Sequence, residues 1–301
     1  MLFKRWACER NKDLSCNYLI HAATQFCVAA FFTLMKRNII FAFIFCSSSI
    51  SAQELFVYTE PASNMAAKSI GLRLNSMYMK NVHTDRNQIF VTPEIMWGVS
   101  KRIMLHTEAF FNNATKHFDI EGAGIYMKYR FYSEDEVHNH FRMAAYGRYS
   151  INNSFLHDAA INLNATNSGY EGGVVATKLI NKVAISASSS FVHASDNGNY
   201  LLGDDYRNAV NYTLSLGKLL LPKEYTNYDQ PNLNLMVELL GQNNVGKNKR
   251  YYVDLAPSLQ LIIKSKMRLD AGYRFPLKDE MYRGTPRSFL VRFEYNFFNV
   301  Y

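Results

Sequence analysis

The chain has 301 residues, 48% of them hydrophobic, 14% aromatic and 19% charged, with a formal net charge of +8. So many aromatics and so few charges exclude a disordered chain. No run of ~18 uncharged apolar residues is present, which argues against helical membrane spans.

From the N-terminus, the first informative stretch is Met35-Lys36-Arg37, followed by apolar Ile39 to Cys46 and then small residues from Ser47 to Ala52. A basic head, a short apolar core and a small-residue end read as a secretory signal over 35–52, with cleavage expected after Ala52 and Ser51 as the competing site. Residues 1–34 are then expected to be a spurious or extended leader. All four cysteines (Cys8, Cys16, Cys27 and Cys46) lie within the first 46 residues. The remainder therefore has no disulfide framework, zinc–thiolate site or cysteine nucleophile, as suits an oxidising envelope compartment. The leader also carries six of the Lys/Arg and two of the Asp/Glu residues. The exported part is only mildly basic, and nucleic acid is not an expected partner.

Residues 53–67 are expected to be an N-terminal periplasmic segment. From Lys68 onward the dominant period is two. Near the C-terminus Phe289, Val291, Phe293, Tyr295 and Phe297 share one face, with Leu290, Arg292, Glu294 and Asn296 on the other. Leu269, Ala271, Tyr273 and Phe275 alternate in the same way with Arg268, Asp270, Gly272 and Arg274. The rule predicts about twelve strands of membrane-crossing length. They fall near 68–80, 87–99, 102–112, 120–132, 140–151, 169–180, 182–194, 207–219, 231–242, 250–263, 266–276 and 287–298. The stretch 155–165 is assigned to a loop, because an even strand number returns both ends to one side. Tight links at 100–101, 181 and 264–265 should mark one rim, against longer polar links on the other; 133–139 and 220–230 depart from that habit.

One face is apolar along nearly every strand, while the other carries many ions. A water-soluble sandwich would bury its apolar faces between two sheets. Here the polar face must be the enclosed one, and lipid requires the sheet to close, since it cannot satisfy open backbone edges. Tyr78, Trp97, Phe111, Tyr149, Tyr251, Phe275, Phe289 and Phe297 near strand ends suit the water–lipid boundary. The expected fold is therefore all-β: a closed antiparallel transmembrane β-barrel over 68–301.

With the signal-like Met35–Ala52, serial alternating strands and an aromatic-rich end, Phe297-Phe298-Asn299-Val300-Tyr301, the chain resembles Gram-negative outer-membrane β-barrel proteins. Within that group it looks like transporter-like barrels named by analogy with channels for hydrophobic compounds. The resemblance implies residence in the outer membrane, contact with its lipid, and a terminal strand read by the barrel-insertion machinery.

Inward positions carry Arg73, Glu94, Glu108, Lys128, Arg130, Arg142, Arg148, Glu238, Asp254, Arg268, Asp270, Arg274, Arg292 and Glu294. They are expected to contact a small-molecule solute in a passive channel or solute-binding transporter, or else simply to fill the lumen. Glu94 and Glu108 are expected to pair with Lys128 and Arg130, and closure should bring Glu294 towards Arg73. No catalysis, cofactor or metal is expected.

A second reading is enzymatic. Phe191-Val192-His193-Ala194-Ser195-Asp196-Asn197-Gly198 is similar to the His-x-Ser-Asn-Gly signature of outer-membrane phospholipase A, itself a twelve-stranded barrel, with Asp196 inserted. That resemblance implies His193 as base, Ser195 as nucleophile and Asn208 as orienting group. A third reading is a structural or adhesive barrel whose long loops, chiefly 152–168, meet partners. Ser133–His140 could hold a divalent metal but reads better as a solvated acidic turn, and Asp196, Asp204 and Asp205 lack EF-hand spacing.

Overall fold

The computed structural model describes residues 56–301, except 115–116, 137–138, 155–157, 196–206, 224–229 and 247–248. The expected leader and signal peptide lie outside the described residues. Among those described, twelve strands form one closed sheet in which each strand pairs with its sequence neighbours and β1 with β12. They are β1 (Ser69–Lys80), β2 (Asn87–Gly98), β3 (Ile103–Asn112), β4 (Asp119–Glu136), β5 (Asn139–Asn152) and β6 (Gly169–Ile180), then β7 (Val183–Ala194), β8 (Asn208–Leu221), β9 (Asn232–Asn244), β10 (Tyr251–Ile263), β11 (Met267–Asp279) and β12 (Ser288–Phe297).

Alternation determines which way each side chain points. In β12, Leu290, Arg292 and Glu294 are buried, while Phe289, Val291 and Phe293 stand outside. The exterior is a continuous apolar surface that includes Leu72, Leu74, Ile95, Ile125, Leu214 and Leu269, each of them 42–50% exposed. Such a surface requires hydrocarbon around it.

Turn chemistry accounts for one rim. Asn181, Lys264 and Ser265 take the left-handed backbone conformation that lets the strands reverse in two or three residues. The expected long link at 133–139 is instead mostly strand: β4 runs to Glu136, well past the start of β3, and β5 starts at Asn139, level with the end of β6. The link from β8 to β9 remains long.

The described part of 155–165 contains no strand. It turns inward over the mouth, burying Ala159, Ile161, Leu163 and Ala165. Gln242 secures this lid by accepting from the Ile161 amide at 2.8 Å and donating to the Ile161 carbonyl at 2.9 Å. The loop proposed for outward contact thus serves the barrel's own mouth.

The segment 53–67 also differs from expectation. Its described residues run inside the barrel, not in the periplasm, with Phe56 and Val57 fully buried. Phe56 packs with Ala184, Met236 and Leu290, so an apolar start finds an apolar patch of the lumen. The fit depends on wall glycines. A Cβ at Gly98 would lie 1.9 Å from the Ala66 carbonyl oxygen, and one at Gly272 would lie 2.8 Å from the Tyr58 ring.

Candidate functional site

The register of β1, β2, β11 and β12 builds an ion-paired wall. Arg73 is directly opposite Glu294 on one side and Glu94 on the other. Its Nε lies 3.0 Å from Glu294 Oε2 and its Nη1 3.2 Å from Glu94 Oε2. Arg268 reaches Asp270 at 2.7 Å and Glu294 at 3.5 Å. Arg292 lies 3.7 Å from Asp270 and donates to Asn75. Ions removed from water need such partners, and here cross-strand pairing supplies them.

The expected pairing of Glu94 and Glu108 with Lys128 and Arg130 does not form. The register sets Glu108 opposite Gly124, with Lys128 four residues further along β4 and opposite Met104. Glu108 takes Arg148 at 3.4 Å, and Arg130 donates to the Lys101 carbonyl at the rim. Lys128 turns to the inserted segment, 2.8 Å from the Pro61 carbonyl and 3.4 Å from Glu60.

That segment is a plug held on several sides. Glu238 accepts hydrogen bonds from three successive backbone amides, Val57, Tyr58 and Thr59, each at 2.9 Å. A carboxylate inside a run of N–H donors is a strong, directional anchor. Arg268 donates to the Phe56 carbonyl at 2.9 Å, and Glu60 lies 3.1 Å from Arg73. On the opposite wall the Ala62 amide donates to Thr177 at 2.9 Å, and Arg142 reaches Ser63 at 3.1 Å. These hydrogen bonds and ion pairs tie the plug to six strands: β1, β4, β5, β6, β9 and β11.

Above it, between plug and lid, lies a cavity of about 270 Å³. Tyr58, Thr59 and Glu60 form its floor, with Arg148, Glu171 and Arg274 in its walls. Arg274 pairs with Asp254 at 2.6 Å. Arg283, from the β11–β12 loop, grips the same carboxylate through two nitrogens at 2.7 and 2.9 Å and lies 3.9 Å over the Tyr252 ring. In the lid, the Gly284 amide donates to Asp158 at 2.9 Å. Burial raises the Asp158 carboxyl above its usual range, and nearby Arg283 and His83 offset this only in part.

Glu60, His106, Glu171 and Arg283 are interior polar groups absent from the sequence-based set. His106 and Glu171 sit at inward positions and alternation marks them. Glu60 and Arg283 lie outside the strands, where periodicity carries no signal.

The phospholipase-like residues come together only in part. His193 Nδ1 lies 2.8 Å from Asn208 Oδ1, across the β7–β8 pairing, and its ring stacks on Tyr170 at 4.9 Å. Ser195 engages the Ser168 carbonyl through its backbone amide, and no hydrogen bond joins it to His193 among the described residues. In the acidic hairpin, Asp135 is taken up by Arg142 at 2.8 Å and His140 at 2.9 Å. Asp196, Asp204 and Asp205 lie outside the described residues.

A closed antiparallel barrel with an apolar outside and an ion-paired inside is a transmembrane barrel of the outer-membrane type. No protein-family model and no curated protein matches this sequence. Among solved structures, the chain is similar to the COG4313 outer membrane channel from Pseudomonas putida F1, at 11% identity and a TM-score of 0.54 over 80% of this chain and 100% of that one. It is also similar to the NanC porin, at 11% identity and a TM-score of 0.45 over 75% and 98% of the two chains. A third likeness is to the beta domain of the Bordetella autotransporter BrkA, at 12% identity and a TM-score of 0.41 over 76% and 99%. At such identity the likeness is one of fold.

Proposed function

We propose that the protein is a passive outer-membrane channel for small polar solutes, closed in this conformation by its own N-terminal segment. The observation that carries the reading is how the plug is held. It is bound to the wall by hydrogen bonds and ion pairs centred on Glu238 and Glu60, with small separate apolar contacts at Phe56, Ala62 and Met65. Polar contacts of that kind exchange with water and solute at modest net cost, so the segment can leave without unfolding the barrel. The polar cavity above it is the solute's entry chamber, and Arg148, Glu171 and Arg274 are the groups met first. Outer-membrane lipid covers the exterior, and β12 is the strand the insertion machinery reads. The reading assigns no catalytic role to His193, Ser195 or Asn208.

Single-channel recording in planar bilayers tests it. The unaltered protein should conduct rarely. Glu238→Ala strands three backbone amides, each costing ~1–3 kcal/mol when left unsatisfied in a buried site, and should raise open probability at least about tenfold. Folded barrels that pass no current in either form, at any salt concentration, would remove the channel.

A further inference from the structure

On the lumen face of the β2–β3 hairpin, Glu94 and Glu108 are direct cross-strand partners, and His106 is one inward position from Glu108. All three side chains are buried, His106 at 1% exposure. A carboxylate oxygen from each glutamate and one imidazole nitrogen lie within 4.8 Å of one another. We propose that these three residues form a binding site for a first-row divalent metal ion such as Zn²⁺ or Mn²⁺.

Three observations converge on a cation. Two carboxylates face each other across a strand pair, and a cation between them would add to the compensation that Arg73 and Asn75 give Glu94 and Arg148 gives Glu108. The His106 ring is buried with Nδ1 facing Glu94 and Nε2 without a hydrogen-bond partner, which is unusual for an imidazole so deep in a protein. The His106 Nδ1 to Glu94 Oε2 separation is 3.6 Å, too long for a hydrogen bond between them. Imidazole together with carboxylates selects Zn²⁺ or Mn²⁺ over Ca²⁺ or Mg²⁺, which favour all-oxygen shells.

The neighbouring arginines can accommodate the added charge. Arg73 also holds Glu60 and Glu294, so it keeps two carboxylates if Glu94 turns to a metal. Arg148 meets Glu108 at 3.4 Å and also lies 5.1 Å over the Tyr126 ring, a contact it retains. Because Arg73 bridges Glu94 to Glu60 of the plug, metal at Glu94 should strengthen the Arg73–Glu60 pair.

Full-length protein purified folded in detergent and stripped with a chelator should bind one Zn²⁺ per barrel in calorimetric titration. His106→Gln and Glu108→Gln should each weaken that binding at least tenfold, whereas Glu134→Gln on the exposed hairpin should leave it unchanged. If either interior variant fails to fold, pulsed electron resonance of Mn²⁺-loaded, unaltered protein should show nitrogen coupling from one imidazole. No Zn²⁺ binding, binding unchanged by both interior substitutions, or Mn²⁺ without nitrogen coupling overturns the site.

Discussion

Two sectors of the lumen wall are built on different chemistry. Across β1, β2, β11 and β12 the inward positions hold Arg73, Glu94, Arg268, Asp270, Arg292 and Glu294, joined into one network. Across β6, β7 and β8 they are small and neutral: Thr177 meets Ser186 at 2.8 Å, and Ser188 meets Thr213 at 2.6 Å. Among the described residues of these three strands, Glu171 is the one inward charge, held by Ser190 and Asn211. Each ion of the first wall is held by at least one other, so the network keeps those four strands together even where one member changes partner. Hydroxyls that bond to each other in pairs can bond to a passing solute with little loss. On the channel reading proposed above, the ionic wall is the scaffold and the hydroxyl wall the side along which a solute would move.

The sharpest way to break this contrast is Arg73→Ala. It leaves Glu60, Glu94 and Glu294 short of a shared cation, and loss of one partner from a buried ionic group costs about 3–5 kcal/mol. Thermal unfolding, followed by the shift from compact to extended gel migration, should occur at a clearly lower temperature. Lys80→Ala, at the exposed Lys80–Asp85 pair, should change stability by no more than about 0.5 kcal/mol. Equal effects from the two would erase the distinction between wall and surface.

On the hydroxyl side the expectation reverses. Ser188→Leu in the Glu238→Ala background should narrow the path and cut conductance by half or more. Its effect on stability should stay within about 1 kcal/mol, because Ser188 is only half-buried. Unaltered conductance would move the solute's route elsewhere.

The smallest expected effect concerns the lid. The folded-state affinity of Asp158 for a proton is raised, so lid docking is favoured where the carboxyl is protonated and weakens as pH rises through that raised value. Acidification of the Glu238→Ala channel should therefore lower its conductance, against the opposing pull of Arg283 and His83. Asp158→Asn should flatten that response, and an unchanged pH profile would remove Asp158 as its source.

Much of this is legible in the amino-acid sequence itself. A period of two determines the side of each strand residue, and closure then brings Glu294 to Arg73 without further information. Pairing across the middle of the wall was less legible. The partner of Lys128 depends on register, and four residues of offset from the position opposite Glu108 amount to about 13 Å along a strand. The plug was not legible from periodicity at all. Phe56 to Ala67 is neither strand nor helix, and its place is set by complementary groups far along the sequence, with Glu238 lying 181 residues from Val57. One hint was present: the stretch is apolar for its position, and Glu60 is its sole charge.

The plug is continuous with β1, which begins at Ser69, and the Lys68 amide is bonded to the Gly98 carbonyl at 2.7 Å. A displaced segment therefore stays leashed to the rim of its own pore, and its return is a unimolecular event. A short flexible leash corresponds to an effective concentration in the millimolar range. A free peptide copied from residues 56–67 would need a comparable dose to reseal a barrel from which that stretch had been cut away.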